Sequence, residues 1–296
     1  MVKPTVSICI SAFNEEKNIR SLVMAYLGQL HPNFILKEII VVADGCTDNT
    51  IGAINSLKDK KLKIIDGKSR KGLIPRVNQL LQSSRGDIIV LSDADIRLEA
   101  NTVSKLIKPF AKFDVGMVGA KASPVIGNSL LQKGIAVSVK AYTDFAESYH
   151  HGKNLYTCKG VVALSRQLAN KIKIPDYVYA QDAFLYLSCR QFGFKYEYVK
   201  TAQIWYYLPS TVSDHLKQNR RFESTYGNLR KHFGQLADSE YYRPPRIFLP
   251  RLIGAFFSQP LLSLYISILN IYCKLFARFN YHQITSRWDM ITSTKK

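Results

Sequence analysis

Asp93 and Asp95, separated only by Ala94, close the apolar run Ile88-Ile89-Val90-Leu91-Ser92. Two carboxylates this close repel each other unless a positive charge sits beside them. A hard divalent cation with oxygen ligands, shared with a phosphate-bearing substrate, is the simplest partner. A strand running into an acidic turn explains the same residues. Asp44 follows Ile39-Ile40-Val41-Val42 in the same way, and Asp66 follows Leu62-Lys63-Ile64-Ile65. One aspartate at a strand tip usually caps a helix, whereas several converging on one sheet edge make a site. Residues 67–72, Gly-Lys-Ser-Arg-Lys-Gly, form a basic loop between glycines, suited to a diphosphate or simply to solvent. No G-K-[ST] closes it, so it is not a P-loop. Asp182 opens the run Asp182-Ala183-Phe184-Leu185, where a carboxylate caps a helix or favours its first turn.

The elements that must position these residues alternate. Thr5–Ile10, Ile39–Val42, Leu62–Asp66 and Ile88–Leu91 predict four strands. Ile19, Leu22, Val23, Tyr26 and Leu27 fall on one helical face, with Asn14 as its expected N-cap and Glu15 and Glu16 in its first turn. Gly45 supplies a sharp turn after Asp44, with Thr47 or Asp48 capping the next helix. Leu73, Val77, Leu80 and Leu81 mark a further helix, with Gly86 at its end. Strand–helix alternation repeated four times predicts an α/β fold with a doubly wound, mostly parallel central sheet. In such a sheet the carboxyl ends of the strands, where these aspartates fall, hold the ligand.

Composition narrows the partner. The 296 residues are 47% hydrophobic, enough for a real core, and 41 Lys+Arg against 22 Asp+Glu give a formal charge of +19. That excess suits an anionic partner: nucleic acid, phosphorylated substrate or anionic lipid. The basic residues are scattered and no nucleic-acid-binding motif is present, so nucleic acid is the weaker choice. The five cysteines stand far apart and read as buried thiols of a reducing compartment. Met1-Val2-Lys3-Pro4 leads directly into a strand, so no cleavable leader is expected. Pro244-Pro245 marks a boundary between a domain over residues 1–240 and a segment over 241–296. That segment holds no charge from Leu252 to Tyr272. Those 21 positions reach roughly 30 Å as one helix, the thickness of a bilayer core, but Gln259-Pro260 allows two shorter helices lying on its surface. A buried helix of the soluble domain is the third choice. Arg243, Arg246, Arg251, Lys274 and Arg278 flank the stretch and suit anionic headgroups.

Three stretches together resemble the family 2 glycosyltransferases of GT-A fold. Val6–Glu16 (Val-Ser-Ile-Cys-Ile-Ser-Ala-Phe-Asn-Glu-Glu) is similar to the family's P-A-Y-N-E-E block, with Ser11 in place of proline. Glu38–Thr50 is similar to V-V-D-D-G-S-T-D, with Ala43 in place of an acidic or polar residue. Gly86–Asp95 carries the D-x-D, and Lys71 to Asn78 matches the stretch before it. Further on, Gln181-Asp182 resembles the E-D motif, with glutamine for glutamate. Tyr156 to Arg166 resembles the small-residue stretch under the acceptor site. Gln218-Asn219-Arg220-Arg221-Phe222 resembles the Q-x-x-R-W motif of membrane-associated members, with Phe222 keeping a ring but losing the indole donor.

The resemblance implies a Rossmann-like nucleotide-sugar-binding domain and an inverting, metal-dependent transfer. Asp44 would lie near the base and Asp93 near the ribose, with Ala12, Asn14, Glu15, Lys71 and Ala94 around the donor. Asp95 would hold Mg²⁺ or Mn²⁺, and Arg221, with Gln218, would meet the diphosphate, Phe222 lining the acceptor end. Asp182 would be the base. The expected activity is transfer from a nucleoside-diphosphate sugar, UDP-sugar first, to a hydroxyl of a lipid-linked or saccharide acceptor, on the cytoplasmic face of a membrane. Two alternatives stand beside it: transfer to a polyprenyl phosphate, and a catalytically silent lipid- or polysaccharide-binding scaffold.

Overall fold

The computed structural model describes residues 2–241, 245–279 and 291–295, without the side chains of 220–224, 245–249, 252 and 276–279. Its strands are β1 (Thr5–Ala12), β2 (Ile35–Asp44), β3 (Leu62–Gly67), β4 (Ile88–Ser92), β5 (Ile96–Leu98), β6 (Val115–Val125), β7 (Val161–Ser165) and β8 (Lys195–Tyr207). The helices are α1 (Ile19–Leu27), α2 (Thr50–Asn55), α3 (Leu73–Ser83), α4 (Thr102–Ile107), α5 (Leu130–Ser148) and α6 (Arg166–Ala169). After them come α7 (Gln181–Gln191), α8 (Val212–Phe233), α9 (Gln235–Tyr241), α10 (Pro245–Ser258) and α11 (Pro260–Phe279).

The strands make one sheet in the order β3-β2-β1-β4-β7-β6-β8-β5. The first four are parallel, as the alternation predicts, and β8 runs parallel to β6. β7 is antiparallel to both β4 and β6, and β5 is antiparallel to β8, so the sheet is mostly parallel, as expected, with β7 and β5 reversed within it. Periodicity reports which residues are apolar but not the direction of a strand, which is why the sequence left this half unread.

The unbroken apolar runs follow from burial on both faces. Ile88 and Val90 of β4 enter one core with Ile8 and Ile10 of β1, while Ile89 and Leu91 enter a second with Cys9, Ile40 and Val42. α1, α2 and α4 close the first core; α3, α6 and α7 close the second. Each fully buried Ile, Leu or Val contributes roughly 1.5–3 kcal/mol, so β4, buried at every residue, is a rigid central support for the aspartates at its end.

Three local expectations need correction. Asn14 does not cap a helix: it turns the chain in the left-handed conformation (φ 53°), which Asn tolerates better than most residues, and α1 begins only at Ile19. Glu15 and Glu16 therefore lie before the helix. Gly86 is not a helix end either; α3 stops at Ser83, and a Cβ on Gly86 would lie 2.5 Å from the Ser7 nitrogen. Gly45 does make its turn, at φ +65°.

The segment after residue 241 packs onto the domain instead of standing apart. α10 lies on α5, and α11 lies on both α5 and α8. The chain breaks at Gln259, and no described helix is long and apolar enough to cross a membrane. Ser263, Ile266 and Cys273 of α11 face the protein, while Leu261, Leu264, Ile268, Ile271 and Leu275 point outward, each 50–82% exposed.

Candidate active site

The carboxyl ends of β1, β2 and β4 lie side by side and bring the N-terminal half of the expected residues together. Ala12, the last residue of β1, is buried, and the loop after it is stitched to the loop after β2. Asn14 accepts from the Thr47 N–H (2.8 Å) and donates to the Thr47 hydroxyl (3.0 Å); the Glu15 N–H donates to the Thr50 hydroxyl (2.8 Å). Asp48 accepts from the Thr50 N–H at the start of α2 and from the Glu16 N–H. Asn14 is thus a clamp between loops.

Asp44 organises the basic loop. Its carboxylate accepts from the Lys71 N–H (2.8 Å), the Gly72 N–H (2.9 Å) and Arg76 Nε (2.7 Å), all in a nearly solvent-free position. An ionised carboxylate has about four acceptor sites, so one remains for a further donor. Arg76 also holds the Ser69 carbonyl (2.7 Å), and Arg70 lies over the Phe13 ring, 4.0 Å from its centre. Asp44 and Arg76 need each other: removing one partner of such a buried pair costs about 3–5 kcal/mol. Lys71 is exposed, its backbone rather than its side chain making the recorded bond.

Asp93, buried Ala94 and Asp95 follow β4. The Asp93 N–H donates to the Gly160 carbonyl (2.9 Å), joining the end of β4 to the start of antiparallel β7. The Gly160 N–H faces Asp182, in the first turn of α7, closely enough to favour its ionised form. Gly160 therefore stands between the D-x-D, through its carbonyl, and the expected base, through its N–H. Gly160 sits at φ +77°, with a Cβ position 2.7 Å from Ile204 Cδ1, so a side chain there would disturb its contacts with Asp93 and Asp182. Burial raises the Asp182 pKa to about 7, the nearby Gly160 N–H partly opposing it. The amide oxygen of Gln181 is buried with no hydrogen-bond partner among the described residues.

Glu15 and Asp95 are close enough to act on each other. Burial raises the Glu15 pKa, Lys295 opposes the rise and the Asp95 charge adds to it. Lys295 Nζ lies 2.8 Å from Glu15 Oε1 and donates to the Phe13 and Asn14 carbonyls at 2.7 and 2.5 Å. Beside it, the Thr294 hydroxyl lies 3.4 Å from Asp95 Oδ2, and the Ser293 N–H donates to Asp214 of α8 (2.9 Å). Residues 291–295 thus cover the strand ends. Sequence reasoning missed Thr294, Lys295 and Arg76, because nothing in their local pattern announces partners 199, 281 and 32 residues away.

These carboxylates fit a divalent cation in one respect: hard oxygen donors already gather a cationic ammonium. No cluster of three or more His, Cys, Asp or Glu able to hold a metal occurs among the described residues. An ion held here by Asp95 would take further ligands from a phosphate-bearing substrate or water, as Mg²⁺ sites commonly do.

The remaining expected residues stand apart. Asp66 is exposed on edge strand β3, with β2 and β1 between it and β4. Gln218 is partly buried on α8 with no recorded hydrogen bond to the cluster. Arg221 and Phe222 lie in the same helix, but their side chains are outside the described ones. Lys159, which the sequence offers equally as a surface residue, is partly buried beside Gly160.

With this geometry in place, comparison with known proteins is decisive for the family. Residues 7–164, just over half of the chain, match the model of glycosyl transferase family 2. The chain belongs to that family. It is 22% identical over 230 residues to the poly-beta-1,6-N-acetyl-D-glucosamine synthase of Staphylococcus epidermidis, covering 73% of this chain and 53% of that protein. The chain spans between half and three fifths of the length of the first curated relatives it matches. The mannosyltransferase of Pyrobaculum calidifontis, solved with GDP-Man and Mn²⁺, shares the fold at a TM-score of 0.62 and 17% identity, over 95% of this chain and 83% of that one. The Mycobacterium tuberculosis glucosyl-3-phosphoglycerate synthase, solved with Mn²⁺, UDP-Glc and phosphoglyceric acid, does so at 0.56 and 17%, over 78% and 80%. The GT-A-type fold and glycosyltransferase identity expected from the sequence stand.

Proposed function

We propose that this glycosyltransferase moves a sugar, with inversion, from a nucleoside-diphosphate sugar to a hydroxyl of a lipid-linked or saccharide acceptor at a membrane surface. The observation that carries this reading is the buried carboxylate of Asp182, its pKa raised to about 7, beside the glycine whose carbonyl holds the Asp93 N–H. UDP-sugar is the first candidate donor. Its base would take the free acceptor site of Asp44, its ribose would lie near Asp93, and Arg70 and Lys71 would face the diphosphate, with Gln218, Arg221 and Phe222 on α8 closing the far side.

Asp95 would hold Mg²⁺ or Mn²⁺, which when bound neutralises charge growing on the leaving diphosphate. The residues of the chain do the rest. Asp182 accepts the proton of the attacking hydroxyl as its oxygen bonds to the anomeric carbon and the bond to the diphosphate breaks. A base with a pKa about 7 matches that task at neutral pH. A burial-raised carboxylate with an approach to the donor site favours this over a phosphate acceptor, whose nucleophile is already ionised. The resting contact of Lys295 with Glu15 keeps a cation against the carboxylates and water away from them.

The outward stripe on α11 supports the membrane part of the reading. A surface helix normally turns its apolar face inward, but here Leu261, Leu264, Ile268, Ile271 and Leu275 face out, joined by Ile253, Phe256 and Phe257 of α10. Two helices lying in a headgroup layer suit that arrangement, and residues 241–296 are then a membrane-docking segment facing the cytoplasm.

Calorimetric titration of UDP- and GDP-sugars into the full chain, with and without Mn²⁺, tests the proposal. One metal-dependent binder, lost in Asp95→Ala, is expected. A folded protein that binds none of them, with or without metal, would leave the silent scaffold standing.

A further inference from the structure

Lys159 is a cation in an unusual place. Its ammonium faces the rings of Tyr142 on α5, 5.4 Å from the centre, and Tyr206 on β8, 6.0 Å from the centre. Among the described residues it makes no ion pair and no side-chain hydrogen bond. The nearest acid to influence it, Glu147, is already taken: it pairs with Lys121 (2.8 Å) and Lys200 (3.6 Å) and accepts from the Tyr198 hydroxyl (2.9 Å). Burial lowers the Lys159 pKa to about 8, and Glu147 opposes the shift only in part. Ring faces attract a cation, but they replace little of the hydration that burial removes. Among the described residues the ammonium is shielded and only weakly compensated, by a Glu147 already shared with two other lysines, and so can take a further anion.

Its position indicates which molecule brings that charge. Across the sheet the strand ends run from Asp44 on β2, past Glu15 after β1 and Asp93 after β4, to Gly160 before β7. Lys159 lies at the far end of this row from Asp44, beyond the D-x-D and next to the glycine that faces Asp182. Its rings belong to α5 and β8, and α5 carries α10 and α11 with their outward apolar stripe. The donor phosphates belong on the side of Arg70 and Lys71, so Lys159 stands on the acceptor side of the base.

We infer that Lys159 is the acceptor-reading residue of this enzyme and holds an oxyanion, a carboxylate or a phosphate monoester, carried by the acceptor next to its attacking hydroxyl. The inference rests on the glycosyltransferase reading and adds the acceptor's charge to it. A guanidinium can take over the role, whereas an isosteric apolar chain cannot. Tyr142 and Tyr206 then serve as walls that keep water from competing for the ammonium.

The test is saturation-transfer NMR on the full chain loaded with UDP and Mn²⁺. Methyl β-glucuronide and glycerol 1-phosphate are each compared with their uncharged counterparts, methyl β-glucoside and glycerol. Wild type should bind at least one anionic probe about tenfold or more tightly than its neutral partner. Binding of the glucuronide alone assigns a carboxylate, and binding of the phosphate alone assigns a phosphate. Lys159→Arg should keep the preference and Lys159→Met should lose it, with the folded spectrum of each variant checked in the same samples. Equal binding of charged and neutral probes by wild type overturns the inference, as does a preference that survives in Lys159→Met. Loss of UDP affinity in Lys159→Met with the acceptor preference intact would make Lys159 a donor contact instead. Failure of the wild type to bind any nucleotide or nucleotide sugar with Mn²⁺ would bring down the underlying reading, which the probe comparison alone does not.

Discussion

Asp182 carries a cost that follows from its role. Its pKa is raised to about 7 by burial, against an unfolded value near 3.8, so between those pH values the folded chain holds more protons than the unfolded one. Stability therefore falls as pH rises through that window, by on the order of 1–3 kcal/mol, and the full penalty applies above pH 7. The active form of a general base is the deprotonated one, so transfer should rise with pH through about 7 and then level off. Asp182→Asn should lower the rate at least about 100-fold while raising the melting temperature at pH 8. Scanning calorimetry beside a transfer assay checks both, and an equally slow but destabilised variant would refute this view of Asp182.

At the scale of elements, α11 is built inside out. Its polar and small positions, Ser263 and Cys273, face α5 and α8, and the His215 ring of α8 meets the Asn270 amide at 3.0 Å. Ile266 and Leu269 pack inward, but Leu261, Leu264, Ile268, Ile271 and Leu275 face away. The double variant Leu264→Glu, Ile268→Glu replaces side chains already more than half exposed, so the melting temperature should change little. Binding to phosphatidylglycerol vesicles should fall roughly 10- to 100-fold, the loss expected for two buried apolar side chains at an interface. A flotation assay reads this directly; unchanged flotation would exclude α11 as the docking face.

At the scale of the whole molecule, the decisive contacts join parts of the chain far apart in sequence. Lys295 reaches Glu15, Phe13 and Asn14, and Thr294 reaches Asp95, across nearly the full length of the protein. A fixed ammonium beside these carboxylates competes with a divalent ion for the same charge. Lys295→Ala should therefore bind Mn²⁺ alone several-fold more tightly, the effect of removing roughly 1 kcal/mol of like-charge repulsion near a protein surface. Electron paramagnetic titration of free Mn²⁺ in the absence of nucleotide checks it, and a weaker affinity in the variant would mean that Lys295 organises the site.

How much of this was legible beforehand depended on range. The four parallel strands, α1, α3 and the tip aspartates were readable because each rests on a local pattern: an apolar run, a 3.6-residue period, or a carboxylate where a strand stops. The family resemblance added an order to those local patterns, and the family match bears it out. Asn14 was misread because the N-cap pattern is shared by any Asn before an apolar helix, while only the loop after β2 explains its left-handed turn. The direction of β7, the Asp93–Gly160 bond, the Arg76–Asp44 pair, the seat of Lys159 between two tyrosine rings and the return of residues 291–295 belong to tertiary structure alone. Sequence by itself determined which chemistry the strand ends could offer, because residue type and local period set it. Only the fold decided which charges meet and which are left over, because that depends on distances between residues that no local pattern records.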